Sequence, residues 1–136
     1  MAEWENESVT LRVVRLGSER GRDEGLRIGT VRRPPRGVPK AEFASRDFYD
    51  AWLPELSPSP ELIHQGMAAE TDRDWQRFVR GYIKEMATPQ ARHLIALLAA
   101  LSQETNLAVG CYCRDEARCH RTILRDLLED AGADLG

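Results

Sequence analysis

Every cysteine of the chain and one of its three histidines fall in the run Cys111 to Arg121, CYCRDEARCHR. Thiols, an imidazole, a carboxylate and guanidiniums at this density can support three chemistries. The first is nucleophilic catalysis. A thiolate beyond a strand end and beside a helix N-terminus has a lowered pKa and can attack an acyl, phosphoryl or sulfur centre. Cys113 has that position, and Asp115, Cys119 and His120 are the candidates to act with it. His120 opens the helix that follows. It is either a satisfied core residue or an acid, base or anion ligand at the mouth of a crevice. The phosphatase pattern, Cys followed by five residues and Arg, is met by Cys119 and Arg125, but the stretch between them reads as helix and holds no glycine. It cannot form a loop of amides around a phosphate, so a protein-phosphatase reaction is excluded.

The second chemistry is metal binding. Cys111, Cys113, Cys119 and His120 are soft ligands, but their spacing is not a standard one and the second pair of a zinc knuckle is missing. No metal is expected on that ground. The third is thiol redox, for which Cys113 and Cys119 lack the C-x-x-C spacing of thiol oxidoreductases. Cys111 reads as a small buried hydrophobe. For Cys113, packing and function stand as level alternatives.

A second group of charges lies far upstream. Arg27, Arg32, Arg33, Arg36 and Lys40 concentrate positive charge around the proline-rich stretch VRRPPRGVPK. Proline fixes φ and removes amide donors, so this is a stiff extended loop. Stiffness lowers the entropic cost of presenting guanidinium forks to an anion. Arg32 and Arg36 are the candidate anion ligands. Arg121 is a third, placed beside Arg125 on the polar face of the last helix, where it pairs on the surface or reaches over the crevice.

The elements that must position these groups are legible in outline. Leu107 to Cys113 is small or apolar on both faces and reads as an inner strand of a parallel sheet. Ligands collect beyond the carboxyl ends of such strands. Ile123, Leu124, Leu127, Leu128 and Ala131 form the apolar side of a closing helix, with Gly132 as its C-cap. Earlier, Val9 to Leu16 and Leu26 to Arg32 read as strands, expected to pair antiparallel. Phe43, Phe48, Trp52 and Leu53 are expected to anchor the segment up to Leu56. Ser59-Pro60, Thr71-Asp72 and Thr88-Pro89 each start a helix. The third of these has Leu94, Ile95, Leu97, Leu98 and Leu101 nearly all round and is expected to be deeply buried.

Strands, a block of helices, then strand and helix again make an α/β pattern over residues 1–136, with about three to five strands flanked by helices. The chain shows no repeat, linker or second domain, and residues 1–7 read as a flexible N-terminus. At 42% hydrophobic and 30% charged residues it is ordinary globular material. A net charge of −3 argues against non-specific coating of nucleic acid. The longest apolar run, Leu94 to Leu101, is too short to span a bilayer. Without a signal-peptide pattern, three cysteines suggest free thiols in the cytoplasm and no membrane.

Cys113-Arg114-Asp115 followed by Cys119-His120-Arg121 resembles the C-x-D … C-H-R signature of the domain-of-unknown-function family 488. Arg32 to Lys40 resembles the R-x-W-P-R-G-x-x-K stretch of the family's YeaO-like branch, and Trp52 to Ser59 resembles that branch's W-L-x-x-L-A-P-S. Pro34 stands where that branch has Trp, and the C-H-R end is closer to the wider family. The likeness covers Leu26 to Ala131 and implies a compact Rossmann-like α/β domain, without implying a particular reaction. Together these readings lead to one expectation. A small anionic ligand, phosphate or nucleotide-like, binds in a crevice at the strand ends, and whether it is also transformed there is left open. The alternative is a non-enzymatic nucleic-acid or protein-binding module that uses the Arg-rich loop. Aromatics are not interleaved with the basic residues, which disfavours nucleic acid. The sequence names no cofactor and no oligomeric state.

Overall fold

The computed structural model describes residues 10–113 and 119–135. Arg114, Asp115 and the N-terminal segment expected to be flexible lie outside that range. Four strands form one sheet: β1 (Leu11–Arg15), β2 (Leu26–Gly29), β3 (Ala51–Trp52) and β4 (Leu107–Cys111), in the order β1-β4-β2-β3. All pairings are parallel. The early strands therefore do not pair antiparallel; β4 lies between them. The reason is in its composition. All five residues of LAVGC are buried, and only a strand with neighbours on both edges and cover on both faces can bury such a run. The strand ends at Cys111, leaving Tyr112 and Cys113 beyond the sheet.

Four α-helices complete the fold: α1 (Pro60–Met67), α2 (Asp72–Met86), α3 (Pro89–Leu101) and α4 (His120–Asp130). The starts follow the local chemistry. Ser59 Oγ accepts the Leu62 amide at 3.3 Å and Thr71 Oγ1 accepts the Asp74 amide at 3.1 Å. Each bond satisfies an amide that the helix itself cannot. Proline stands in the first turn of α1 and α3. Among the described residues no helix is long and apolar enough to cross a membrane.

The helices share one core with one face of the sheet. By register, Leu11, Ile28, Leu107 and Val109 point the same way. They meet Leu62, Phe78, Tyr82, Leu98, Leu124 and Leu128. Trp75 and Leu94 pack at its margin, only partly buried. The Tyr82 hydroxyl, fully enclosed, donates to the Leu56 carbonyl at 2.7 Å. Two expectations need correction here. Helix α3 is not buried all round: Ala91, Ile95, Leu98 and Ala99 are inside, but Leu97 is 54% and Leu101 38% exposed. Its partners, α2, α4 and the Pro54–Leu56 turn, take only one side of it. Trp52 is not a core anchor either. It is 41% exposed on a two-residue edge strand, tied down by its indole N–H, which donates to the Val31 carbonyl at 2.7 Å.

The other face of the sheet carries Gly29, Ala108, Gly110 and Arg27, and loops cover it. The Tyr49 ring occupies the space where a side chain on Gly29 would stand. Arg27, grouped by sequence with the basic loop, is fully buried on this face. Its guanidinium makes a fork on Glu24, Nε to Oε2 at 2.7 Å and Nη2 to Oε1 at 2.9 Å. Nη1 donates to the carbonyls of Ser18 and Asp47 at 2.8 and 2.7 Å. Asp50 accepts the Arg27 amide at 2.8 Å and pairs with Arg20 at 2.7 Å. Burial pushes the Glu24 carboxyl up, but hydrogen bonds from Arg27 and the Gly21 amide outweigh it and hold the group below its usual range. Arg27 is a structural hub, not part of a basic surface.

Candidate functional site

Beyond the carboxyl ends of β2 and β4 lies a crevice of about 430 Å³. Arg32, Arg33 and Arg36 line it from the proline loop, and Cys111, Tyr112, Cys113 and His120 from the end of β4 and the start of α4. Val31, Pro58, Pro60 and Ile63 give it apolar walls. Parallel pairing of β2 with β4 is what brings the loops together, because it sends both strands out at the same rim. A second hollow, with Phe48, Pro34 and Pro35 in its wall, shares Arg33, Arg36 and Tyr112 with the first.

The three arginines of the loop differ. Arg33 and Arg36 are exposed. Arg32 is half-buried and donates to the carbonyls of Ser57 and Pro58 at 3.1–3.4 Å, so it holds the crevice wall in place. Tyr112, which the sequence reading passed over between its two cysteines, fixes the other side. Its hydroxyl donates to the Arg33 carbonyl at 3.0 Å, tying the loop to the end of β4. Ser57 and Pro58 also line the crevice and were not among the expected site residues, although both lie in the stretch that resembles W-L-x-x-L-A-P-S, which was the available signal.

Arg121 is not on the polar face. It is 4% exposed, because the first turn of α4 is folded in against the sheet end before the helix's solvent side emerges. Its charge is close enough to bear on both Cys113 and His120. Asp115 lies outside the described residues.

His120 is buried, with Nε2 2.8 Å from the Thr30 carbonyl and 3.4 Å from Thr30 Oγ1. A carbonyl accepts only, so the ring proton is on Nε2 and the lone pair is on Nδ1. Nδ1 lies 4.0 Å from Cys119 Sγ. Burial pushes the imidazole pKa down, against the Thr30 carbonyl and Cys113, which favour the charged form. The thiols divide. Cys111 and Cys119 are buried and free, their Sγ atoms 2.7 Å apart. Hydrogen bonding to Cys113 and Cys119, then burial, pushes the Cys111 thiol up. For Cys119, the Cys111 contact draws the value down, but Cys113 and burial outweigh it. Cys113 is exposed. Hydrogen bonds from Cys111 and Cys119 hold its thiol well below the usual range despite burial of the sulfur side, with His120 and Arg121 adding to the effect.

Among the described residues, the ligand atoms of Cys111, Cys119 and His120 lie within 4.8 Å of one another, a grouping that could hold a metal ion. Chemically the crevice offers cationic groups on one wall and an exposed thiol beside a neutral imidazole on the other.

No curated protein and no solved structure matches the chain. A family model does, DUF488-N3a, described as the active DUF488-N3 subclade, over residues 11–132. That match spans the sheet, the helices and both walls of the crevice, and the chain therefore belongs to the domain-of-unknown-function family 488, in its DUF488-N3 subclade.

Proposed function

We propose that the crevice at the strand ends binds a small anionic molecule, phosphate-bearing or nucleotide-like. One observation carries the reading: exposed Arg33 and Arg36 face the same concavity as Cys113 and His120. A phosphate held by guanidinium forks gains charge-assisted hydrogen bonds, and the apolar walls suit the organic part of such a ligand. Arg36 and Arg33 hold the anion, Arg32 keeps the wall in place, and Arg121 adds positive potential from within. Cys113 is the group to act on the bound molecule, with Cys119 and His120 beside it, and Asp115 remains a candidate on its place in the sequence alone. Three free thiols suit a reducing compartment such as the cytosol.

Calorimetric titration of the reduced chain with inorganic phosphate and with a nucleoside monophosphate tests this. Saturable binding that weakens in Arg36→Ala and Arg33→Ala is expected, and it should protect Cys113 from alkylation. Binding of single-stranded nucleic acid that leaves Cys113 alkylation unchanged would instead favour a binding module built on the loop alone.

A further inference from the structure

We infer that Cys111, Cys119 and His120 form a three-ligand site for a thiophilic divalent cation of the zinc type, with its fourth position open to the crevice. The spacing in sequence argues against a metal, but spacing matters only through the geometry it produces. Here Cys111 ends β4, Cys119 caps α4 and His120 is the first residue of that helix. Their ligand atoms converge within 4.8 Å, and all three residues are buried. Two thiolates and one imidazole make a set that suits zinc and leaves one tetrahedral position for an outside ligand.

The imidazole carries the argument furthest. A metal-binding histidine commonly donates its other ring N–H to a carbonyl or carboxylate, which fixes the tautomer and aims the lone pair. His120 has that arrangement without any ion. Nε2–H donates to the main-chain carbonyl of Thr30, and Nδ1 lies towards Cys119. Loading asks little of the backbone. A tetrahedral ion about 2.3 Å from each sulfur sets the two sulfurs roughly 3.8 Å apart, so the Cys111–Cys119 pair opens by about 1 Å from its present contact. Binding exchanges two thiol protons for the cation: both S–H bonds break, two metal–sulfur bonds form, and the protons go to solvent. The charge of the cation is then balanced by the two thiolates, and neutral His120 loses no proton. Cys111 and His120 also line the crevice, so the open position faces the space where the anion is proposed to lie.

The test uses the full chain, reduced and stripped with a chelator, then titrated with Co²⁺ and with Zn²⁺ in the absence of phosphate. One Co²⁺ per chain is expected, with tetrahedral d–d bands and a thiolate-to-cobalt charge-transfer band, displaced by zinc. Cys119→Ser and His120→Ala should each weaken zinc binding by more than the roughly 10–100-fold that loss of a merely supporting contact costs, with circular dichroism checking the fold. If either variant unfolds, the cobalt spectrum of the unaltered chain decides alone. Octahedral cobalt lacking the sulfur band, or no uptake, overturns the site. So does a Cys111–Cys119 disulfide that, once reduced, still gives a chain that takes up no metal. Cys113→Ala should keep the metal, and its loss would overturn the open position. Arg36→Ala should also keep it while losing phosphate, so failure of the anion reading and failure of this one are told apart.

Discussion

Arg27 and Arg36 belong to the same stretch of chain and carry the same group, yet they live in opposite environments. Arg27 lies behind the sheet with no exposed surface, its guanidinium divided between the Glu24 carboxylate and two main-chain carbonyls. Arg36 is exposed at the strand ends, on a loop stiffened by proline. The comparison teaches how to sort charge by purpose. A buried guanidinium must be neutralised and fully hydrogen-bonded or the fold fails. Once neutralised it has nothing left for a ligand. An exposed one costs the fold little and keeps its field for whatever enters the crevice.

The comparison breaks first at the hub. Arg27→Ala strands the Glu24 carboxylate and two carbonyls in the interior, and chemical denaturation should show a loss of about 3–5 kcal/mol. If the loss is below 1 kcal/mol, the buried pair is not what holds the loop cover to the sheet. Next, Gly29→Ala puts a methyl group where the Tyr49 ring lies. Overpacking of this kind costs roughly 1–3 kcal/mol, read as a lower Tm, and the larger loss is expected if Tyr49 cannot shift.

The pH dependence sharpens the same contrast. The Glu24 carboxyl is lowered in the folded chain, so the unfolded chain binds its proton more readily. Its stabilising contribution is fully present above the ordinary carboxylate value of 4.5 and is lost as pH falls through the folded value. Thermal unfolding followed through the acid range should show that limb in the unaltered chain, and it should shrink when Glu24→Gln and Arg27→Met are combined, leaving the part contributed by Asp50, which is lowered beside Arg20. At the crevice the expected change in stability is smallest. Arg36→Ala should move the denaturation midpoint by no more than about 0.5 kcal/mol. Phosphate affinity, by titration, should fall by roughly 1.5–3 kcal/mol, the worth of a hydrogen bond to a charged group. Equal losses of stability at Arg27 and Arg36 would erase the distinction between them.

Much of this was legible in the chain, for local reasons. The unbroken small and apolar run of β4 demanded a central place, since exposure of either face would cost its burial. Ser59-Pro60 and Thr71-Asp72 marked helix starts because capping chemistry acts within a turn, and Leu124 and Leu128 marked the inner side of α4. The carboxyl end of β4 followed as the rim at which the crevice opens, and family membership followed from three spaced motifs. What stayed hidden depends on partners distant in sequence. Nothing near Arg27 distinguishes it from Arg36; the main-chain carbonyls of Ser18 and Asp47, brought together behind the sheet, decide its burial. Arg121 reads as surface from helical spacing and is enclosed because the start of α4 is packed against the sheet end. Leu97 looks like core and is exposed because α3 has neighbours on one side only. The three cysteines could be counted from the sequence. Their convergence with His120 required β4 to stop at Cys111, and α4 to begin with its first imidazole bonded to Thr30, a strand away. Side-chain type and periodicity are properties of neighbours in the chain, whereas strand order, burial of charge and the meeting of ligand atoms are set by contacts that only folding brings about.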